Sequence, residues 1–130
     1  MRKLLILPAL FIMLIMSKNE AHAQKVYDFV SVSTQPTFPG GMPAFYQYLA
    51  KNIKYPANAR KNNTQGKVFV TFIVEESGAL TDVSITRGLS KETDAEALRV
   101  IKESPKWNPG KVKSKLVRVK YNLVVNFSLA

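Results

Sequence analysis

The chain has 130 residues, no cysteine, one histidine, and 19 Lys and Arg against nine Asp and Glu, a formal charge of +10. That length supports one small domain. Without cysteine there is no disulfide, no thiol nucleophile and no lipid-modified N-terminal cysteine.

Arg2 and Lys3 precede an uncharged apolar run over residues 4–16, and Ala21-His22-Ala23 places small residues at the two positions a signal peptidase reads. Residues 1–23 are therefore expected to be a signal peptide cleaved after Ala23. The run falls short of the about 20 residues a spanning helix needs, so an uncleaved inner-membrane anchor is the alternative. Removing the segment takes away three cationic residues and one acidic one, leaving 107 residues and a charge of +8. A basic excess favours anionic partners, although a lysine-rich soluble surface explains it as well; an exported protein has no nucleic acid to meet. His22 leaves with the segment, which excludes histidine acid–base chemistry and ordinary zinc sites. Glu75 and Glu76 are adjacent, so on a strand they point to opposite faces, unlike a catalytic carboxylate pair. No enzyme, cofactor or metal is expected.

Residues 24–37 form a short arm, strand or loose, holding a mixed run over residues 26–32. Phe38-Pro39-Gly40-Gly41 is a turn, and Phe45, Tyr48 and Leu49 predict a helix over residues 43–52. Tyr55-Pro56 interrupts it, and Pro56 starts a second short helix through Lys61. Residues 67–75 alternate as a strand, with Val68, Val70, Phe72 and Val74 on one face and Phe69 and Ile73 on the other, a central-strand pattern. Gly78 sits in a tight reversal, and residues 80–87 return as a hairpin. Ser90 or Thr93 caps a helix over residues 91–103, with Thr93 and Glu96 in capping-box spacing. Its apolar stripe is read as Leu98 and Ile101, helped by Ala97 and Ala95. Pro105 stops it, Trp107-Asn108-Pro109-Gly110 is a buried anchor followed by a turn, and residues 111–115 are a basic loop.

The last stretch, residues 116–127, is the clearest strand. Val117, Val119, Tyr121, Leu123, Val125 and Phe127 share one face, and Arg118, Lys120, Asn122 and Asn126 the other, with Val124 the exception. A hairpin followed by a right-handed crossover helix sets this strand antiparallel beside the first hairpin strand. The expected fold is α+β: a two-layer, three-stranded antiparallel sheet packed on a crossover helix, with short N-terminal helices. The helix is expected to cover Val119, Tyr121 and Val125, and the last strand to be an open edge.

Several motifs together resemble the C-terminal domain of the TonB energy-transducer family. They are Tyr55-Pro56 with Ala59, Gly66, the Val68–Val70–Phe72–Val74 alternation, the Gly78 turn, Val83 and Ile85 before Arg87-Gly88, Asp94 with Ala97-Leu98, and Trp107-x-Pro109-Gly110. Phe38-Pro39-Gly40-Gly41 resembles an extension of one branch, and the resemblance places the domain at residues 38–130. It implies a non-catalytic periplasmic domain that takes an extended peptide of an outer-membrane TonB-dependent receptor as an added strand. The peptide-binding residues so implied are Val117, Arg118, Val119, Lys120, Tyr121, Asn122, Leu123, Val124 and Val125, with Asn52, Ile53 and Lys54 near the same peptide. Arg118, Lys120 and Asn122 would favour an acidic or polar peptide; edge lysines equally discourage aggregation. Tyr55, Pro56, Gly66, Gly78, Trp107, Pro109 and Gly110 carry the structural motif.

Two features depart from the family pattern. A full transducer has a membrane helix that engages the ExbB–ExbD motor and a long Pro-rich spacer, whereas about 14 extended residues here reach only about 50 Å. ExbB–ExbD contact is expected only if the N-terminus stays anchored. Ser114, Leu116 and Val124 stand where the related branch is expected to carry Gly or Pro, leaving a strand better able to pair, also with itself. An edge-paired homodimer with a structural or peptidoglycan-binding role is the further alternative.

Overall fold

The computed structural model describes residues 25–129. The segment expected to be a signal peptide, residues 1–23, lies outside them. Among the described residues the order is β1 (Val26–Asp28), a 3-10 turn (Phe29–Ser31), α1 (Gly41–Asn52), α2 (Ala57–Lys61), β2 (Gly66–Val74), β3 (Leu80–Arg87), α3 (Lys91–Lys102), β4 (Gly110–Val112) and β5 (Lys115–Phe127). No helix among them is long and apolar enough to cross a membrane.

The predicted α+β, two-layer class holds. The hairpin strand β2 is central, pairing antiparallel with β3 from Phe69 to Val74 and with β5 from Gly66↔Phe127 to Val74↔Val119. Its four alternate residues Val68, Val70, Phe72 and Val74 are all essentially inaccessible. The sheet has five strands rather than three, in the order β1-β5-β2-β3, with β4 also on β5. Both additions are three-residue strands, too short for a periodicity of two to separate them from loop. The supposed basic loop over residues 111–115 is therefore the tip of a hairpin, with Lys113 in the left-handed conformation at φ 57°.

Helix α3 starts as a reciprocal capping box between Ser90 and Thr93: the Thr93 amide donates to Ser90 Oγ at 3.2 Å, and the Ser90 amide to Thr93 Oγ1 at 3.0 Å. The box therefore uses Thr93 where Glu96 was expected to pair with it. Its buried stripe is Thr93, Glu96, Ala97, Val100 and Ile101. Ala95 is exposed and Leu98 only half-buried, so the stripe is rotated about one residue from the predicted one. α3 lies over β2 and β3 rather than over β5. The core face of β5 is instead covered by aromatic rings: Trp107 and Phe72 stand 5.1 and 5.6 Å from the Tyr121 ring.

Trp107, 2% exposed, is the centre of that layer. Its ring also meets Phe38, Phe45 and Phe72 at 5.8, 5.7 and 5.4 Å, so α1, β2 and β5 are joined through one indole. Edge-to-face pairs of this kind add about 0.5–1.5 kcal/mol each beyond area burial. Its backbone is fixed too, because the Trp107 amide donates to Gly78 O at 2.9 Å. Gly78 has φ 88°, and a Cβ there would lie 2.1 Å from Trp107 O. The Gly78 and Trp107 motifs, 29 positions apart in sequence, are thus two halves of one contact.

Candidate functional site

β5 is built to present its outer edge. Its inner edge is consumed by β2 across nine residue pairs. On the outer side, β1 pairs with it in parallel at Val26↔Arg118, Tyr27↔Val119 and Asp28↔Lys120. β4 pairs with Lys115–Val117 as the other strand of a short hairpin. The expectation of a fully open edge over residues 117–127 is therefore corrected: the chain's own arm covers Arg118, Val119 and Lys120. From Tyr121 to Phe127 the outer edge has no strand partner among the described residues. Seven residues at about 3.3 Å each make roughly 23 Å of unpaired backbone.

The side chains on that edge differ from what alternation alone suggests. Arg118 is committed to Glu75, with Nε to Oε1 at 2.7 Å and a second nitrogen to Oε2 at 3.1 Å. Thr81 donates to the same carboxylate. The Arg118 hydrogen bond holds Glu75 below the usual carboxylate range, partly offset by desolvation, and the carboxylate in turn raises Arg118. This forked pair ties β5 to the end of β2, so Arg118 acts first as a brace. Lys120 and Asn122 are exposed, set in register opposite Ile73 and Thr71. Val124 is 38% exposed opposite Phe69 on the open face of the sheet, while Val117, Val119, Leu123 and Val125 point into the core. Tyr121 lies between, half-buried, with Phe29 of the arm edge-on at 5.1 Å. Burial, more than its neighbour Tyr46, raises its hydroxyl pKa.

Asn52, Ile53 and Lys54 are placed differently. They end α1 and are clamped onto α3: the Lys54 amide donates to Glu96 Oε2 at 2.6 Å, and Asn52 O accepts from Arg99 at 2.8 Å. Ile53 N closes the helix on Leu49 O. Tyr55 then reaches the far end of β5, its ring 5.6 Å from Phe127. Three backbone groups of this stretch are thus already used, and Tyr55 rather than Asn52–Lys54 provides its ring contact with β5. Glu96, 8% exposed, also takes two bonds from Arg99 at 2.8 and 2.6 Å. Those bonds, opposed by desolvation and helped by the Lys54 amide, hold it below the usual range.

Gly110 opens β4, and a Cβ there would stand 2.6 Å from a Val119 methyl, which accounts for the glycine after Pro109. Among the described residues no group of three or more His, Cys, Asp or Glu is placed to hold a metal ion.

A two-layer α+β domain whose last strand shows a partly unoccupied outer edge is the class these features define. Residues 51–129 match the family model described as the Gram-negative bacterial TonB protein C-terminal, and the chain belongs to that family. Two solution structures of the Helicobacter pylori TonB C-terminal domain are similar in fold. The one of residues 179–285 is 19% identical with a TM-score of 0.53, covering 68% of this chain and 80% of that one. The one of residues 194–285 is 20% identical with a TM-score of 0.52, covering 67% and 91%. No curated protein matches the chain. Domains of this family in general bind outer-membrane transporters in TonB-dependent transport, act in the cell envelope or periplasm, and are non-catalytic transducer modules.

Proposed function

We propose that this domain is a periplasmic, non-catalytic module that captures extended peptide segments of outer-membrane transporters by adding them as a strand to β5. The observation that carries this reading is the unpaired outer edge from Tyr121 to Phe127 on a strand otherwise locked by nine pairs to β2. A rigid strand with one open side offers backbone hydrogen bonds to any extended partner, and neighbouring side chains then set preference. Lys120 and Asn122, exposed beside that edge, favour an acidic or polar partner. Export by a cleaved signal peptide puts the module where transporter segments reach it, whereas retention of residues 1–23 as an anchor would add engagement of ExbB–ExbD. N-terminal sequencing of the protein from fractionated cells separates the two.

Titration of isotope-labelled protein with peptides from the periplasmic ends of transporters tests the binding itself. Amide shifts concentrated along β5 are expected. No shift there at millimolar peptide refutes the reading, and self-association through β5 in the absence of peptide would favour an edge-paired homodimer instead.

A further inference from the structure

The arm that covers the first part of the β5 edge is held in two unequal ways. From Ser33 onward it is fixed: the Ser33 and Thr34 amides donate to Lys111 O at 2.9 and 3.0 Å, the Lys111 amide returns to Thr34 O at 2.8 Å, and Thr37 and Asn108 exchange both backbone bonds. Ahead of that anchor the hold is slight. β1 is a three-residue parallel ladder, and no residue from Val26 to Ser31 is buried. Val30 is 86% exposed. Parallel pairs are slightly weaker per residue than antiparallel ones, and a segment with so little buried apolar area belongs to the low-stability end of a domain.

That weakly held piece carries a distinct pattern. Tyr27 lies beside Val119, Asp28 beside the exposed Lys120, and Phe29 edge-on against Tyr121. We infer that Val26–Phe29 is a built-in, displaceable occupant of the strand-addition edge, and that the edge it covers takes, in the same parallel direction, a peptide whose acidic residue is flanked by aromatic ones. The inference rests on β5 being the docking strand. Opening the arm extends the free edge from Tyr121 back to Arg118, and a partner has to outcompete a strand tethered only a few residues from its anchor. A short flexible tether gives an effective concentration on the order of millimolar. An edge that is open only a tenth of the time binds an incoming peptide about tenfold more weakly than one always open.

The test uses a capped synthetic peptide copying residues 25–32 as the probe, against the intact chain, a chain with residues 25–31 deleted, and the Phe29→Ala chain. The deleted chain is expected to bind the probe with amide shifts at residues 118–121. The intact chain should bind about tenfold more weakly, with Phe29→Ala between them. A probe carrying Lys in place of Asp28 should lose affinity for the deleted chain. Equal affinity of intact and deleted chains, or shifts away from β5, overturns the inference. If the deletion prevents folding, Phe29→Ala decides alone: affinity no better than that of the intact chain refutes displacement. Transporter peptides binding intact and deleted chains equally would refute the arm while sparing the proposed function. Transporter peptides binding neither chain while the probe binds the deleted one would do the reverse.

Discussion

Glu96 shows how a residue that looks like helix surface is spent on joining elements. Its carboxylate accepts from the Lys54 amide and from Arg99, and Arg99 also holds Asn52 O and Glu103. Replacing it with Ala takes the acceptor from the part-buried Lys54 amide and leaves Arg99 only Asn52 O and Glu103. Glu96→Ala is expected to cost roughly 2 kcal/mol, read as a lower urea midpoint with unchanged slope. Glu75 and Glu96 are both held below their ordinary value near 4.5 in the folded chain, so the unfolded chain takes up protons first as pH falls. Their contribution is complete above about pH 4.5 and is lost as acid titrates the folded carboxylates. A melting temperature flat from pH 7 to about 5 and falling below that range is expected, with the acid limb flattened in a Glu75→Gln, Glu96→Gln double variant. Gly78 is the other residue-scale case. With φ 88° and Trp107 O where a Cβ would go, Gly78→Ala is expected to destabilise by about 3 kcal/mol. A variant as stable as the parent would show that the turn can open without moving Trp107.

At the scale of elements, β2 and β5 were legible because each alternates over nine or more residues with one buried face, and β3 through Val83 and Ile85 after the Gly78 reversal. Their mutual order followed from chain direction and the handedness of the crossover. β1 and β4 were not legible, since three residues carry no period, and β1 also pairs with a partner far along the chain, Val26 with Arg118. The helix stripe was misread by one position for a related reason. Thr93 and Glu96 are polar yet buried, and hydrophobicity alone does not reveal that a capping bond and a carboxylate clamp satisfy them. The candidate edge was legible in its residues and misjudged in its occupancy. Nothing in a row of Val, Arg and Lys shows that Arg118 braces Glu75 or that the arm returns to lie beside it. Arg118→Ala is accordingly expected to lower stability while leaving peptide capture at Tyr121–Phe127 within about threefold, a separation that combined denaturation and titration would show. A large loss of affinity at unchanged stability would instead make Arg118 a direct reader of the partner.

For the whole molecule, the aromatic layer around Trp107 fixes β5 from beneath, β2 fixes it from one side, and the remaining side is shared between a short arm and open backbone. Rigidity on those two sides lets a strand accept a partner without paying to order itself, which suits capture of extended, otherwise unstructured segments. Trp107→Ala, which removes the common contact of Phe38, Phe45, Phe72 and Tyr121, should cost about 3–5 kcal/mol and weaken peptide binding in the fraction that still folds. The most direct measurement is the set of intermolecular backbone nuclear Overhauser contacts between β5 and a bound transporter peptide. A regular ladder to the outward-facing groups between Arg118 and Phe127 is predicted, with the β1 contacts at Arg118, Val119 and Lys120 lost as the peptide extends over them. Contacts to helix surfaces alone, with β1 pairing and the Tyr121–Phe127 edge unchanged, would contradict strand addition on β5.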